Sequence, residues 1–224
     1  MIDQLGERAP GREITLRINP GFGHGHSQKT NTGGEQSKHG IWHEQLNDVL
    51  IKADRYGLMI TGLHMHIGSQ LLDMAPIREA LQRLGGFRRE LEAAGHPLAS
   101  IDVGGGLGVR YREGEQAPDP AAYVAEIRAA LPGFTGRILL EPGRYLVAEA
   151  GVLLTRAVLV KRGERREFLV LDAAMNDLLR PSLYDAWHDI TRLGDDAGRE
   201  QVVYDVVGPV CETGDTFAVG RTLP

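Results

Sequence analysis

The feature that most constrains this chain is a repeated order of elements. An apolar run of strand length ends in glycines or polar residues, and a helix-like pattern follows. "EITLRINP" alternates and stops at Asn-Pro, which predicts a strand and then a loop. "HEQLNDVLIKADRYG" sets Leu46, Val49, Leu50 and Ala53 at helical spacing, and Gly57 ends it. "LMITGLHMHIGS" predicts a second strand, and "MAPIREALQRLGGFRRELEAAG" a helix weakened at Gly85-Gly86. "LASIDVGGG" predicts a third strand. "DPAAYVAEIRAAL" predicts a helix with Asp119 as its cap and Pro120 at its first position. "GRILLEPGR" predicts a fourth strand running into a loop. Alternation of this kind means parallel βαβ units. An open doubly wound sheet and a (β/α)8 barrel both satisfy it, and both bind ligands at the carboxyl ends of strands. Asn19, His66, Gly104 to Gly106, Glu141 and Arg144 all fall at predicted strand ends, and a barrel would gather them around one site.

The pattern changes near residue 147. "GVLLTRAVLVKRGERREFLVLDA" reads as two β-rich runs joined by a charged turn, and "QVVYDVVGPVCETGD" as another, with a short helix near "SLYDAWHDI". The expected organisation is therefore a barrel portion over residues 1–147 and a β-rich domain over 148–224. Each half leaves sheet edges and apolar faces uncovered, so the expectation is an internal piece of a longer protein. The polar segment from Pro20 to Gly40 is expected to be a mobile loop.

Composition narrows the classes. Among 224 residues 42% are apolar and 25% charged, which suits a soluble globular protein. No apolar run is long enough to span a membrane, and no basic-then-apolar leader opens the chain. The net charge of −5, with no dominant basic patch, argues against nucleic acid. One cysteine, Cys211, excludes an internal disulfide framework and fits a reducing cytoplasm.

"GLHMHIGSQ" places His64 and His66 on one face of a strand if it stays extended. Such a pair would suit a metal, and His24 and His26 form a second pair. One imidazole could instead lie on an aromatic cofactor whose phosphate meets the Gly-Ser turn. "DVGGGLGV" is neither a dinucleotide fingerprint nor a Walker loop, yet three glycines after a strand let backbone N–H groups close on phosphate. A tight strand-to-helix turn explains them equally. In "LEPGR", Glu141 and Arg144 read as a solvated turn with an ion pair, or as a carboxylate for a heteroaromatic nitrogen and a fork for phosphate or carboxylate. Arg180 and Tyr184 open a helix at Pro181, and recognition of a substrate carboxylate is the alternative. Cys211 stands among Gly, Glu, Thr and Asp, a poor core environment.

Taken in order, "LRINPGFGHGHSQKTNTGGEQSKHGI", "GLHMHIGSQ", "IDVGGGLGV", "LEPGRYLVAEAG", "DAAMNDLLRPSLY" and "GPVCETGD" resemble the fold type III pyridoxal-phosphate decarboxylases, an alanine racemase-like barrel group. The "GHGHSQKTNTGG" to "SKHG" loop and "RPSLY" resemble the diaminopimelate decarboxylase branch. The resemblance spans essentially the whole chain. It implies pyridoxal 5'-phosphate as cofactor and decarboxylation of meso-2,6-diaminopimelate to L-lysine. It implies His66 against the pyridine ring, Ser69 and Gly104, Gly105 and Gly106 at the phosphate, and Glu141 on the ring nitrogen. Gly143 and Arg144 would lie near phosphate and substrate, and Arg180 and Tyr184 on the substrate carboxylate. Arg17 and Asn19 match a strand lining the cofactor pocket. Cys211 and Glu212 would reach into the site of a partner subunit in a homodimer. Glu141 would keep the pyridine nitrogen protonated as an electron sink, and Cys211 would protonate the carbon.

The chain departs from that pattern in one respect. Its lysines are Lys29, Lys38, Lys52 and Lys161, and none matches the family's Schiff-base lysine on the first barrel strand. The expectation is an inactive, poorly folded polypeptide on its own and an active full-length parent. Two other readings stand beside this one: a metal-dependent barrel hydrolase using His64 and His66, and a non-catalytic relative that binds an enzyme subunit.

Overall fold

The computed structural model describes residues 1–25, 28–195 and 197–224. The chain divides into two compact units, residues 1–109 with 116–148, and residues 110–115 with 149–224.

The first unit runs α1 (Ile2–Arg8), β1 (Glu13–Asn19), β2 (Ile41–Trp42), α2 (Leu46–Arg55), β3 (Met59–His64), α3 (Met74–Ala93), β4 (Ser100–Gly105), α4 (Pro120–Ala130), β5 (Arg137–Glu141) and α5 (Gly143–Val147). Its five strands are all parallel, in the order β2-β1-β3-β4-β5. The helices therefore serve as crossovers, as the alternation predicts. Leu16, Ile18, Ile60, Leu63 and Ile101 pack with Leu50, Leu81, Leu84, Leu91 and Ile127 of the helices in one apolar cluster. Leu63 and Ile101 are fully buried, and each such side chain contributes about 1.5–3 kcal/mol through removal from water. Arg17, His64 and Asp102 point to the other face, because side chains alternate.

The cap predicted at Asp119 forms, and Asp73 adds one that was not predicted. Asp119 accepts from the backbone N–H of Ala121 at 3.0 Å, with Pro120 in the first turn. Asp73 accepts from Ala75 at 2.8 Å and opens α3. Gly57, at φ +65°, ends α2. The weakness expected at Gly85-Gly86 does not materialise, and α3 is continuous through it. A Cβ on Gly85 would lie 2.3 Å from the carbonyl of Ala130. The glycine is thus explained by close passage of α4, not by a helix break.

The Pro20 to Gly40 segment is tied to the sheet at several points. Asn19 donates from Nδ2 to the Gly34 carbonyl at 2.9 Å and accepts from the Gly34 N–H at 2.8 Å. Thr32 donates to the carbonyl of His66 at 3.1 Å, and Asn31 bridges to Gly68. A short 3₁₀ turn covers Gln28–Thr30. Among the described residues this segment is anchored, against the mobile loop expected. His26, the second half of the His24 pair, lies outside the described residues.

The second unit contains β6 (Ala157–Arg162), β7 (Glu167–Leu171), α6 (Arg180–Tyr184), β8 (Val202–Val207) and β9 (Thr216–Leu223). Its sheet has the order β6-β7-β8-β9, antiparallel except between β7 and β8. Leu171, Ala173, Val206, Phe217 and Leu223 form its core. The short helix predicted near "SLYDAWHDI" starts earlier, at Arg180, with Pro181 in its first turn. Both β5 and β6 are open to solvent along their length; Leu139 and Leu140 on β5 are 43% and 46% exposed.

Candidate functional site

Parallel register assembles a polar row at the carboxyl ends of the strands. Arg17 on β1 is paired with His64 on β3, and His64 with Asp102 on β4. Asp102 faces Leu139 on β5, and Glu141 follows two residues on, at the same sheet face. One ligand-capable atom from each of His64, Asp102 and Glu141 lies within 4.8 Å of the others. His64 Nε2 is 3.3 Å from Glu141 Oε2. The contact is at ion-pair distance but off the donor direction, so Nε2 makes no hydrogen bond among the described residues. Glu141 is half exposed, whereas His64 is largely covered.

His66 lies beyond the end of β3, which stops at His64. The two histidines therefore do not share a strand face as an extended pair. Nδ1 of His66 accepts from the backbone N–H of Gly105 at 3.1 Å. This bond places the ring proton on Nε2. Burial, then the charge of Arg17, holds the imidazole below its ordinary pKa, and Glu141 opposes them. The cluster capable of holding a cation contains His64 without His66.

The glycine triplet is dictated by backbone crowding. Gly104 has φ +74° and Gly106 φ +100°. A Cβ would stand 2.3 Å from the Met65 carbonyl at Gly104, 2.0 Å from the Glu141 carbonyl at Gly105, and 2.2 Å from the Gly68 carbonyl at Gly106. The N–H of Gly104 donates to Asp102 Oδ1 at 2.9 Å, and that of Gly105 to His66. Two of the three amides thus shape the turn from within. The turn carrying half-buried Ser69 packs on Gly106, whose carbonyl accepts from Leu71 N–H at 2.8 Å.

Gln70 received no role from the sequence, yet it joins three parts of the site. It is a non-glycine residue at φ +64°. Its amide donates to the Val109 carbonyl, and its Oε1 accepts from Val109 N–H at 3.2 Å and from Arg144 Nη1 at 3.2 Å. Arg144 stands in the first turn of α5, beside exposed Gly143. A polar residue directly after Gly-Ser is the only sequence signal that pointed to it.

The second unit holds the other candidates. Arg180 is fixed by His188, whose Nε2 is 2.7 Å from Nη1, and by the Tyr111 ring, 5.2 Å from its guanidinium carbon. Tyr184 is half-buried at the end of the same helix. Cys211 and Glu212 are exposed in the loop between β8 and β9. Asp215, only 2% exposed, braces that loop by accepting from Val210 N–H at 2.8 Å and Met175 N–H at 2.6 Å. Lys52 is ion-paired with Asp3 at 2.6 Å on the helices, and Lys161 lies on β6.

The row suits an aromatic cofactor with anionic groups. Arg17 Nη2 is buried without a hydrogen-bond partner among the described residues. An unsatisfied buried cation is costly, and an anionic group supplies what it lacks. A carboxylate and a fixed neutral imidazole beside it offer a heteroaromatic ring a nitrogen partner and a flat face.

Comparisons with known proteins agree with this chemistry. Residues 1–148 match the family described as pyridoxal-dependent decarboxylase, pyridoxal binding domain. Residues 122–224 match the pyridoxal-dependent decarboxylase C-terminal sheet domain. The diaminopimelate decarboxylase of Escherichia coli K12 is 45% identical over 97% of this chain and 53% of its own length. That of Streptomyces coelicolor is 44% identical over 97% and 50%. The crystal structure of diaminopimelate decarboxylase from Helicobacter pylori complexed with L-lysine superposes with a TM-score of 0.86 at 40% identity. It covers 95% of this chain and 52% of that one. The chain spans about half the length of the curated relatives it matches. With a parallel sheet that ends in this polar row and a separate mixed sheet after it, each matched by its own domain family, the chain belongs to the pyridoxal-dependent decarboxylases.

Proposed function

We propose that this chain carries cofactor- and substrate-binding parts of a diaminopimelate decarboxylase, a lyase that converts meso-2,6-diaminopimelate to L-lysine and CO2 with pyridoxal 5'-phosphate. The observation that carries the reading is the strand-end row in which a pinned His66 and a half-buried Arg17, its Nη2 covered, stand within electrostatic reach of Glu141. The substrate is that of the diaminopimelate decarboxylases to which the chain is 45% and 44% identical.

When bound, the cofactor supplies an electron sink for the pair left behind by CO2. The chain's own residues have simpler tasks. Glu141 holds a proton on the ring nitrogen, and His66 presents a neutral imidazole face to the ring. Ser69, Gly104, Gly105, Gly106 and Gly143 shape the phosphate end, with Arg144 aimed there by Gln70. Arg180 and Tyr184 hold a substrate carboxylate. Cys211 delivers a proton to carbon, and Glu212 binds substrate beside it. Cys211 and Glu212 act in the site of a second subunit in a homodimer, which their exposed loop supports. A cytoplasmic location fits the single cysteine, and no helix among the described residues is long and apolar enough to cross a membrane. The domain boundary near residue 147 separates these two sets of residues.

The test is CO2 release from meso-diaminopimelate by the intact protein with pyridoxal phosphate, against L-ornithine, L-arginine and L-lysine. Turnover of the first alone is expected; turnover of L-ornithine or L-arginine instead would move the chain to another branch. Subunits carrying Cys211→Ala mixed with subunits carrying Glu141→Gln should regain activity if sites are shared. A second reading, a metal-dependent hydrolase, rests on the proximity of His64, Asp102 and Glu141. It predicts stoichiometric divalent metal and no response to the cofactor.

A further inference from the structure

Arg180, assigned above to a substrate carboxylate, is held differently from other arginines of its unit. Arg166 and Arg221 pair with carboxylates, Asp205 at 2.8 Å and Asp189 at 3.4 Å. Arg180 makes no ion pair among the described residues. Its Nη1 lies 2.7 Å from Nε2 of His188, and its guanidinium carbon is 5.2 Å from the centroid of the Tyr111 ring. Tyr111 and His188 meet in turn, edge to face, with ring centroids 5.6 Å apart. All three residues are half-buried. A guanidinium can only donate, so Nε2 accepts and the ring proton sits on Nδ1.

Local structure delivers His188 to this point. Asp185 takes a left-handed φ of +53° and ends α6, which turns the chain out of the helix. Arg221 on β9, 8% exposed, then grips three consecutive residues. Its guanidinium carbon lies 3.4 Å from the centroid of the Trp187 ring. Its Nη2 donates to the His188 carbonyl at 2.9 Å, and its Nη1 to Asp189 Oδ1 at 3.4 Å. The backbone of His188 is thereby clamped to the sheet, and its ring offers Arg180 a fixed acceptor.

We propose that His188 is a positioning residue for Arg180: its Nε2 fixes the guanidinium through a neutral acceptor and leaves the positive charge to a substrate carboxylate. A carboxylate in the same place would hold Arg180 as firmly. It would also offset the charge and compete with the carboxylate of the substrate. An imidazole that accepts takes one of five N–H donors and brings no charge. The Tyr111 ring adds a flat support that likewise leaves the charge in place. The proposal rests on the decarboxylase reading, in which Arg180 holds a substrate carboxylate; the bond between His188 and Arg180 does not.

The test has two arms. In intact protein without cofactor, ¹⁵N NMR reads the His188 ring nitrogens and the rotation of the Arg180 guanidinium about Nε–Cζ. Nε2 should be the unprotonated nitrogen, and His188→Phe should quicken the rotation about tenfold or more. In cofactor-loaded protein, decarboxylation of meso-diaminopimelate reads KM and kcat. His188→Phe keeps a ring against Tyr111 and has no acceptor. It should raise KM about tenfold, with kcat within about threefold and the pyridoxal phosphate dissociation constant unchanged. His188→Gln loses the ring but carries an amide oxygen near the place of Nε2. It should bring KM back to within about threefold of wild type. His188→Glu has the same length and a charge. It should keep the rotation slow yet raise KM at least as far as His188→Phe does. A proton on Nε2 in the wild type overturns the proposal, whichever variants fold. A KM in His188→Phe equal to that of wild type overturns it, as does a His188→Gln no better than His188→Phe. Equal KM in His188→Gln and His188→Glu overturns it too, because neutrality would then count for nothing. If His188→Phe does not fold, the glutamine and glutamate variants decide. If the wild type leaves diaminopimelate untouched while ring nitrogens and rotation behave as stated, the decarboxylase reading falls and the pairing of His188 with Arg180 stands.

Discussion

The backbone N–H of Gly105 donates to Nδ1 of His66 at 3.1 Å, joining the glycine turn after β4 to the imidazole beyond β3. To gain a second proton the ring must give up this bond, and burial and Arg17 add to the cost. The folded state therefore binds a proton at His66 less readily than the unfolded chain does. Stability from this source is complete above the ordinary histidine value of about 6.5 and is lost as pH falls through the lower folded value. Urea unfolding of cofactor-free protein should show a loss of stability from pH 7.5 to 5.5. The loss should be smaller in His66→Leu, and an equal slope would refute the assignment.

Gln70 fixes Arg144 through a backbone conformation that ordinary side chains avoid. Such strain costs about 1–3 kcal/mol and persists only where its surroundings demand it. Gln70→Ala removes the acceptor for Arg144 and the paired bonds to Val109. A hydrogen bond to a charged group is worth about 1.5–3 kcal/mol, so affinity for pyridoxal phosphate should fall roughly tenfold to a hundredfold. Because the two residues act together, adding Arg144→Ala to Gln70→Ala should cost less than the two single losses combined. Strict additivity in a fluorescence titration would separate them.

Gly104→Ala meets two obstacles at once, φ +74° and a carbonyl 2.3 Å from the new methyl. The Met65 carbonyl belongs to backbone and cannot swing away. The substitution should destabilise the protein by more than about 2 kcal/mol, combining left-handed strain with a displaced strand end. Thermal denaturation checks this. Gly143→Ala serves as the control, because nothing lies within 4 Å of its added Cβ.

What the sequence could and could not reveal follows from which interactions are local. Asp119-Pro120 and Gly57 act within one helical turn, so caps and ends were readable. The burial of Leu46, Leu50 and Ala53 follows from their spacing alone. The Gly85-Gly86 misjudgement has a non-local cause: the carbonyl of Ala130, 45 residues away in sequence, decides why glycine is there. The helix at Ile2–Arg8 was missed for a similar reason, since Gly6 is fitted against the Tyr56 ring. The resemblance named His66 and Glu141, but the meeting of His64, Asp102 and Glu141 depends on strand register, which no local pattern encodes. Gln70 was passed over because a left-handed backbone at a glutamine leaves almost no compositional trace.

Asp215 carries the last prediction. Its carboxylate is 2% exposed and accepts from the N–H groups of Val210 and Met175, tying the Cys211 loop to the segment after β7. Asp215→Ala leaves both amides without their acceptor in a covered place. The expected loss of stability is about 2–4 kcal/mol, from two charge-assisted bonds of typical strength. Asp215→Asn keeps one oxygen and should lose less. Hydrogen exchange at Val210 and Met175 should quicken at least tenfold in the alanine variant, because opening the loop no longer breaks those bonds. If the loop supplies Cys211 and Glu212 to catalysis, kcat should fall while the cofactor dissociation constant stays unchanged, since the residues proposed to hold cofactor lie in the other unit. A weakened cofactor constant with unchanged kcat would place the effect of Asp215 elsewhere.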